Sequence, residues 1–159
     1  MKKIHKTVLL VIIALFATAG IARAAVANYR THLKGDNEVP PAGVVIETSA
    51  QGQAIFKLSP DGSELSYKLI VANIENVFQA HIHIGPAGVN GPIAVWLYPS
   101  TTPGAGPLGQ GRIQGPIAEG TITSANLINQ NLTGITTLAQ LIAAIESGNA
   151  YVNVHTNDG

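Results

Sequence analysis

The strongest constraint on the fold of this chain is the alternation of apolar and polar residues with a period of two. Apolar residues stand at every second position from Leu65 to Val71, with Ser66, Lys68 and Ala72 among the positions between and after them, and Ala54, Phe56 and Leu58 alternate in the same way with Gln53 and Lys57. Because successive side chains of a strand point to opposite faces, each stretch predicts a strand with one buried face. Pro60 and Gly62 lie between them and are typical of a tight turn, since proline restricts φ and glycine accepts a positive φ. We therefore predict a β-hairpin over roughly residues 50–72.

The rest of the chain continues this pattern and contains one clear helix. Further strands are predicted over roughly 78–84, 93–98, 115–122 and 150–156, with Gly- and Pro-rich segments between them. Thr137 and Gln140 have the spacing of a capping box, apolar residues at helical intervals follow, and Gly148 stands where a helix commonly ends. A shorter helical turn is predicted at Ser124. Many short strands with little helix indicate an all-β fold, an antiparallel β-sandwich or barrel with one short helix before the last strand.

The N-terminal segment has the three parts of a secretory signal peptide. Lys2, Lys3 and Lys6 precede an apolar run over residues 8–19, and Ala22-Arg23-Ala24 has the A-x-A pattern of a cleavage site. We therefore expect residues 1–24 to be removed and residues 25–159 to form a single domain with no membrane span. The predicted location is periplasmic or extracellular. The alternative is that the apolar run stays as an uncleaved anchor.

Charge and cysteine content narrow the classes of partner. The signal segment would remove four of the nine basic residues and none of the nine acidic ones, so the mature chain carries a net charge of −4. A net negative charge with few cations argues against binding to nucleic acid or to an anionic membrane. The chain contains no cysteine, which excludes disulfides and a lipid-modified cysteine. The physiological partner is expected outside the cytoplasm and is not identified by the sequence.

Histidine supplies the candidate site. His81 and His83 are two apart in a predicted strand, so both imidazoles should share one face while Ala80, Ile82 and Ile84 take the other. His155 lies in the last strand and would complete a three-nitrogen metal site if the two strands are adjacent. Imidazole suits copper and zinc, and copper(II) binds most tightly in the divalent series. Alternatively, these are ordinary polar residues on the solvent face of an alternating strand.

Other sites receive less support. His32 stands alone in the first strand region, where a lone histidine is usually a surface or core residue. Asp36 and Glu38 could form an acid–base pair, but they lie in a Pro-flanked loop with no group nearby in sequence to perturb them. No nucleophile elbow, cysteine nucleophile or dinucleotide-binding glycine motif is present. We therefore assign no catalytic residue.

Three segments, in this order and separation, resemble the CHRD domain, a module first named from chordin and also found in exported bacterial proteins. They are LKGDNEVPP (residues 33–41), AHIHIGPAGVNGP (residues 80–92) and SGNAYVNVHT (residues 147–156). The resemblance covers about residues 30–156 and implies an immunoglobulin-like β-sandwich without an established activity. CHRD domains usually continue into a segment similar to GEIRG, which does not follow Asn157–Gly159 here. Two explanations stay open, a truncated C-terminus or an open sheet edge.

The family bears a remote likeness to copper–zinc superoxide dismutases, in which an H-x-H strand and a later V-V-H strand supply copper ligands. His81, His83 and His155 take the matching places, but a zinc cluster, disulfide cysteines and an arginine near the C-terminus are lacking. Two functions therefore remain: a non-catalytic binding or structural module that holds copper through three histidines, and a copper-dependent enzyme of the dismutase type.

Overall fold

The computed structural model describes residues 26–104 and 106–157. The predicted signal peptide at residues 1–24 lies outside this part of the chain. The described residues form two antiparallel sheets with little helix, which confirms the predicted all-β sandwich.

The first sheet has four strands, which lie in the spatial order β1, β2, β3, β6. They are β1 (Asn28–Lys34), β2 (Gln51–Leu58), β3 (Leu65–Glu75) and β6 (Arg112–Ile122). The predicted hairpin is confirmed as β2 and β3, and Gly62 in its turn has a φ of +73°. β6 begins three residues before the predicted Gly115, whose φ of +110° lies at an irregularity opposite Val71. A strand that contains such a bulge does not keep the simple alternation from which its start was predicted.

The second sheet has three strands, which lie in the order β5, β4, β7. They are β4 (Val77–Ile84), β5 (Ile93–Tyr98) and β7 (Ala150–Thr156), and both neighbours of β4 run antiparallel to it. The chain crosses from one sheet to the other between β3 and β4, between β5 and β6, and between β6 and β7. As a result, β7 is the neighbour of β4 although the two strands are far apart in sequence.

The predicted helix is α2 (Leu138–Glu146), and its capping box forms as expected. The Thr137 hydroxyl accepts a hydrogen bond from the Gln140 backbone N–H at 3.3 Å, and the Gln140 side chain accepts one from the Thr137 N–H at 3.1 Å. The helical turn predicted at Ser124 is a 3-10 turn over Ser124–Asn126. A further short helix, α1 (Gln130–Thr133), was not predicted, because one turn is too short to show a helical period.

The hydrophobic core lies between the two sheets. Its buried side chains come mainly from β2, β3, β4, β5, β6 and α2, and they include Phe56, Leu69, Ile82, Leu97 and Leu141. The Tyr67 hydroxyl donates a hydrogen bond to the Leu97 carbonyl oxygen at 2.6 Å, which joins the two sheets inside the core. Among the residues described, no helix combines the length and the apolar character needed to cross a membrane.

Candidate metal centre

Two histidines of β4 face away from the sandwich core and are nevertheless buried. Ala80, Ile82 and Ile84 belong to the core between the sheets, so His81 and His83 point to the opposite face, as the alternation predicts. The exposed fraction of His81 is only 1% and that of His83 is 9%. The alternative that these are ordinary residues on a solvent face is therefore wrong, since other parts of the chain cover this face.

The pairing of β4 with β7 brings the third histidine to the same place. Asn153 pairs with His81 and His155 pairs with Gln79. Residues opposite each other in an antiparallel pair project from the same face, so His155 lies diagonally beside His81. The ring centroids of these two histidines are 5.0 Å apart, and that of His83 lies 5.6 Å from His81 and 5.9 Å from His155. The three-nitrogen site was predicted only if the strands that carry His83 and His155 are adjacent, and this adjacency is thus confirmed.

The ring nitrogens of the three histidines converge and largely lack protein partners. One nitrogen from each ring lies within 4.8 Å of the others. Both ring nitrogens of His81, and Nε2 of His83 and of His155, are buried without a hydrogen-bond partner in the structure. Burying a polar atom without a partner is costly, and native proteins rarely do so. Three such residues at one point are therefore typical of a ligand site.

A second contact holds the His83 ring in the orientation that a ligand needs. His83 Nδ1 lies 2.8 Å from the Gly91 carbonyl oxygen. Because a carbonyl oxygen only accepts, Nδ1 must carry the hydrogen and donate it, which leaves the lone pair on Nε2. A hydrogen bond from the distal nitrogen to a backbone carbonyl is the usual way in which a metal-binding histidine is oriented.

Burial keeps the imidazoles neutral. Desolvation, together with the nearby His155 and His83, lowers the pKa of His81 from 6.5 to about 3. Desolvation also lowers the pKa of His83 and of His155. Because a protonated imidazole cannot bind a metal ion, these shifts leave the nitrogen lone pairs available at neutral pH.

Aromatic side chains line the cluster. The Trp96 ring meets His81 edge-on at a centroid distance of 4.4 Å, and Tyr151 stacks on His83 at 5.1 Å. The Tyr151 hydroxyl accepts a hydrogen bond from the Gly91 N–H at 3.0 Å. Gly91 therefore contacts both members of this stacked pair through its backbone. No role for Trp96, Tyr151 or Gly91 could be predicted from the sequence, since no local pattern marks them as neighbours of the histidines.

The requirement for glycine at position 91 is steric. A Cβ built on Gly91 would lie only 1.7 Å from the Ile84 carbonyl oxygen, a distance at which the backbone would have to move. The β4–β5 turn can therefore approach the end of β4, and place the Gly91 carbonyl next to His83, only when residue 91 lacks a side chain.

His32, Asp36 and Glu38 are the other polar residues that were weighed as site candidates, and they lie at different places in the structure. His32 is exposed on β1 and does not belong to the cluster. Asp36 is also exposed. Glu38 lies in the loop after β1, and its carboxylate oxygen Oε1 is 3.5 Å from Asn153 Nδ2. Glu38 thus approaches the histidine face.

The donor set fits a transition metal. Three neutral imidazole nitrogens suit copper or zinc better than calcium or magnesium, which prefer oxygen ligands. Metal–nitrogen bonds are about 2.0–2.1 Å long for zinc, so the three nitrogens, which lie within 4.8 Å of one another, would move closer together on binding one ion. Within the described ranges, His81, His83 and His155 form the one group of this kind. The cluster is compatible with a metal ion whose identity the geometry leaves open.

The CHRD domain family matches residues 29–159. No curated protein matches the chain. No solved structure matches it either. The remote likeness to copper–zinc superoxide dismutases that the sequence suggested is therefore not supported by these comparisons.

Proposed function

This chain belongs to the CHRD domain family, and from that premise we propose that it is an exported, non-catalytic binding module that holds a copper ion through His81, His83 and His155. The observation that carries the proposal is the convergence of buried, unpartnered ring nitrogens from these three residues within 4.8 Å. Buried ring nitrogens of this kind stabilise a fold only when a ligand binds to them.

Copper is favoured over other ions by the chemistry of the donors. The cluster offers nitrogen and no sulfur, and copper(II) has the highest affinity of the divalent first-row ions for such a site. Zinc accepts the same ligands and is the competing ion. Equal or tighter binding of zinc would overturn the copper assignment and leave the three-histidine site in place.

The chain contains an internal reporter for this test. Trp96 is its one tryptophan, and its ring meets His81 at 4.4 Å. Copper(II) is an efficient quencher of tryptophan fluorescence, whereas zinc has a filled d shell and is not. Titration of the metal-free protein with copper(II) should therefore quench the emission with one equivalent, and calorimetry should give the same stoichiometry.

Matched variants separate the site from adventitious binding. His83→Ala should abolish most of the quenching and binding, while His32→Ala, which changes an exposed histidine outside the cluster, should leave both unchanged. Each variant is first shown to be folded by its unfolding transition. No binding tighter than the millimolar range, or an equal loss in both variants, would overturn the proposal.

The dismutase alternative predicts a different result. A binding module loaded with copper should show no superoxide turnover beyond that of an equal amount of free copper. Turnover that is well above that of free copper and disappears in His83→Ala would favour the enzyme instead. The comparison uses the same protein preparations as the binding experiment.

Export is a separate part of the proposal. It rests on the basic residues, the apolar run and the A-x-A pattern at residues 22–24. Mass spectrometry of the secreted or periplasmic protein should find a mature chain that begins at Ala25. A chain that still begins at Met1 would favour the uncleaved anchor.

A further inference from the structure

A loop from the other sheet brings a carboxylate to the histidine cluster. Glu38 follows β1 and a 3-10 turn over Gly35–Asn37, and its backbone N–H donates a hydrogen bond to the Gly35 carbonyl oxygen at 2.9 Å. Asn153 Nδ2 donates to Glu38 Oε1 at 3.5 Å. Since Asn153 is paired with His81, this contact places the carboxylate over the face that carries the histidines.

The same loop is held at a second point. Asn90 Nδ2 donates a hydrogen bond of 2.9 Å to the carbonyl oxygen of Val39, the residue next to Glu38. Asn90 also precedes Gly91, whose carbonyl oxygen accepts the hydrogen bond from His83. The segment that carries Glu38 and the turn that orients His83 are therefore joined directly.

The charge of Glu38 acts on the cluster. Its carboxylate partly offsets the fall in pKa that burial causes at His83 and at His155. Glu38 is thus close enough to stabilise positive charge in the cluster. Three neutral imidazoles bring no charge to a bound ion, so a carboxylate beside them would be the principal compensation for a divalent cation.

We propose that Glu38 is the residue that sets the preference of the three-histidine site for a divalent over a monovalent ion. Its carboxylate, which contacts Asn153 on the histidine face, attracts the bound ion without replacing any imidazole. The attraction between a carboxylate and an ion is proportional to the charge on the ion, so copper(II) gains about twice the free energy that copper(I) gains. This inference rests on the proposed function, because it concerns the same metal site.

The test compares Glu38→Gln with the wild-type protein for both oxidation states of copper. Glutamine keeps the size of the side chain and its ability to accept from Asn153, and it removes the charge. Removing a supporting group beside a metal site typically costs 10–100-fold in affinity. Because Glu38 is exposed, we expect the lower end, a loss of about tenfold for copper(II) and hence only about threefold for copper(I).

Affinities are measured by competition with chelators of known strength, in air for copper(II) and under anaerobic reducing conditions for copper(I). Asp36→Asn is the matched control, since it removes one exposed negative charge from the same loop. It should change neither affinity by more than about twofold, a small effect typical of screened surface charge.

Each outcome decides the inference. A selective loss of copper(II) affinity in Glu38→Gln supports it. Unchanged affinities in Glu38→Gln, equal losses for both oxidation states, or equal losses in Asp36→Asn overturn it and leave the three-histidine site standing. A wild-type protein that binds neither form of copper overturns both this inference and the proposed function.

Discussion

Replacing His81 with leucine should make the metal-free protein more stable, although His81 is one of its most buried residues. Its exposed fraction is 1%, and neither ring nitrogen has a hydrogen-bond partner. An unsatisfied buried polar group costs about 1–3 kcal/mol. Leucine is close to histidine in size and carries no polar atom, so His81→Leu removes that cost.

Part of the gain is offset by a lost contact. The His81 ring packs edge-on against Trp96 at 4.4 Å, and such a pair contributes about 0.5–1.5 kcal/mol beyond its buried area. The expected net effect is an increase of about 1 kcal/mol in the free energy of unfolding. An increase in the free energy of unfolding would be informative, because substitutions of buried residues usually destabilise a protein.

Urea unfolding at neutral pH, in the presence of a chelator, measures this difference. Ile82→Val is the control, since Ile82 is the next residue of β4 and is equally buried but faces the core. It should lose about 0.5–1.5 kcal/mol. With copper at about 100 times its dissociation constant, the wild-type protein should gain about 2.7 kcal/mol, and His81→Leu should gain little of it.

A loss of 1 kcal/mol or more in metal-free His81→Leu would refute this reasoning. It would mean that His81 contributes to the metal-free fold through packing or hydrogen bonding, and that its unpartnered nitrogens are not a cost that a ligand relieves. An increase in stability together with a loss of copper binding would indicate that the residue serves the ligand rather than the fold.

Three further perturbations follow from the structure. Because burial lowers the pKa of His81 to about 3, the unfolded state binds more protons than the folded state below about pH 6.5. The free energy of unfolding of the metal-free protein should therefore fall as the pH drops from 6.5 towards 4, by up to about 1.4 kcal/mol per pH unit for each histidine that stays neutral. A urea-unfolding profile that is flat over this pH range would contradict this expectation. Gly91→Ala should lower both the free energy of unfolding and the copper affinity, because its Cβ would meet the Ile84 carbonyl oxygen at 1.7 Å. Gly85→Ala is the control, since its Cβ would have its nearest contact at 3.5 Å, and it should have the smaller effect in urea unfolding and in calorimetry. Gly62→Val should lower the free energy of unfolding by roughly 1–2 kcal/mol, because residue 62 has a φ of +73° that strains the backbone of valine. A Cβ at this position would meet open space, so no steric clash adds to the strain. An unchanged melting temperature would show that the turn tolerates a side chain.

Local patterns in the sequence were sufficient for most of the secondary structure. The alternation of apolar residues located β2, β3, β4, β5 and β7, and the spacing of Thr137, Gln140 and Gly148 located α2. It also followed from the period of a strand that His81 and His83 share a face. These features depend on residues a few positions apart, and their geometry is therefore determined by the backbone conformation alone.

Only the tertiary structure decided that the three histidines form one buried site. His155 joins His81 because β7 pairs with β4, and no local pattern specifies which strands of a sandwich become neighbours. The approach of Glu38 to the histidine face likewise brings together segments that are far apart in sequence. Gly91 is near Ile84 and His83 in sequence, but its N–H also contacts Tyr151 of β7. Such contacts depend on the packing of the whole chain, whereas the side-chain direction within one strand does not.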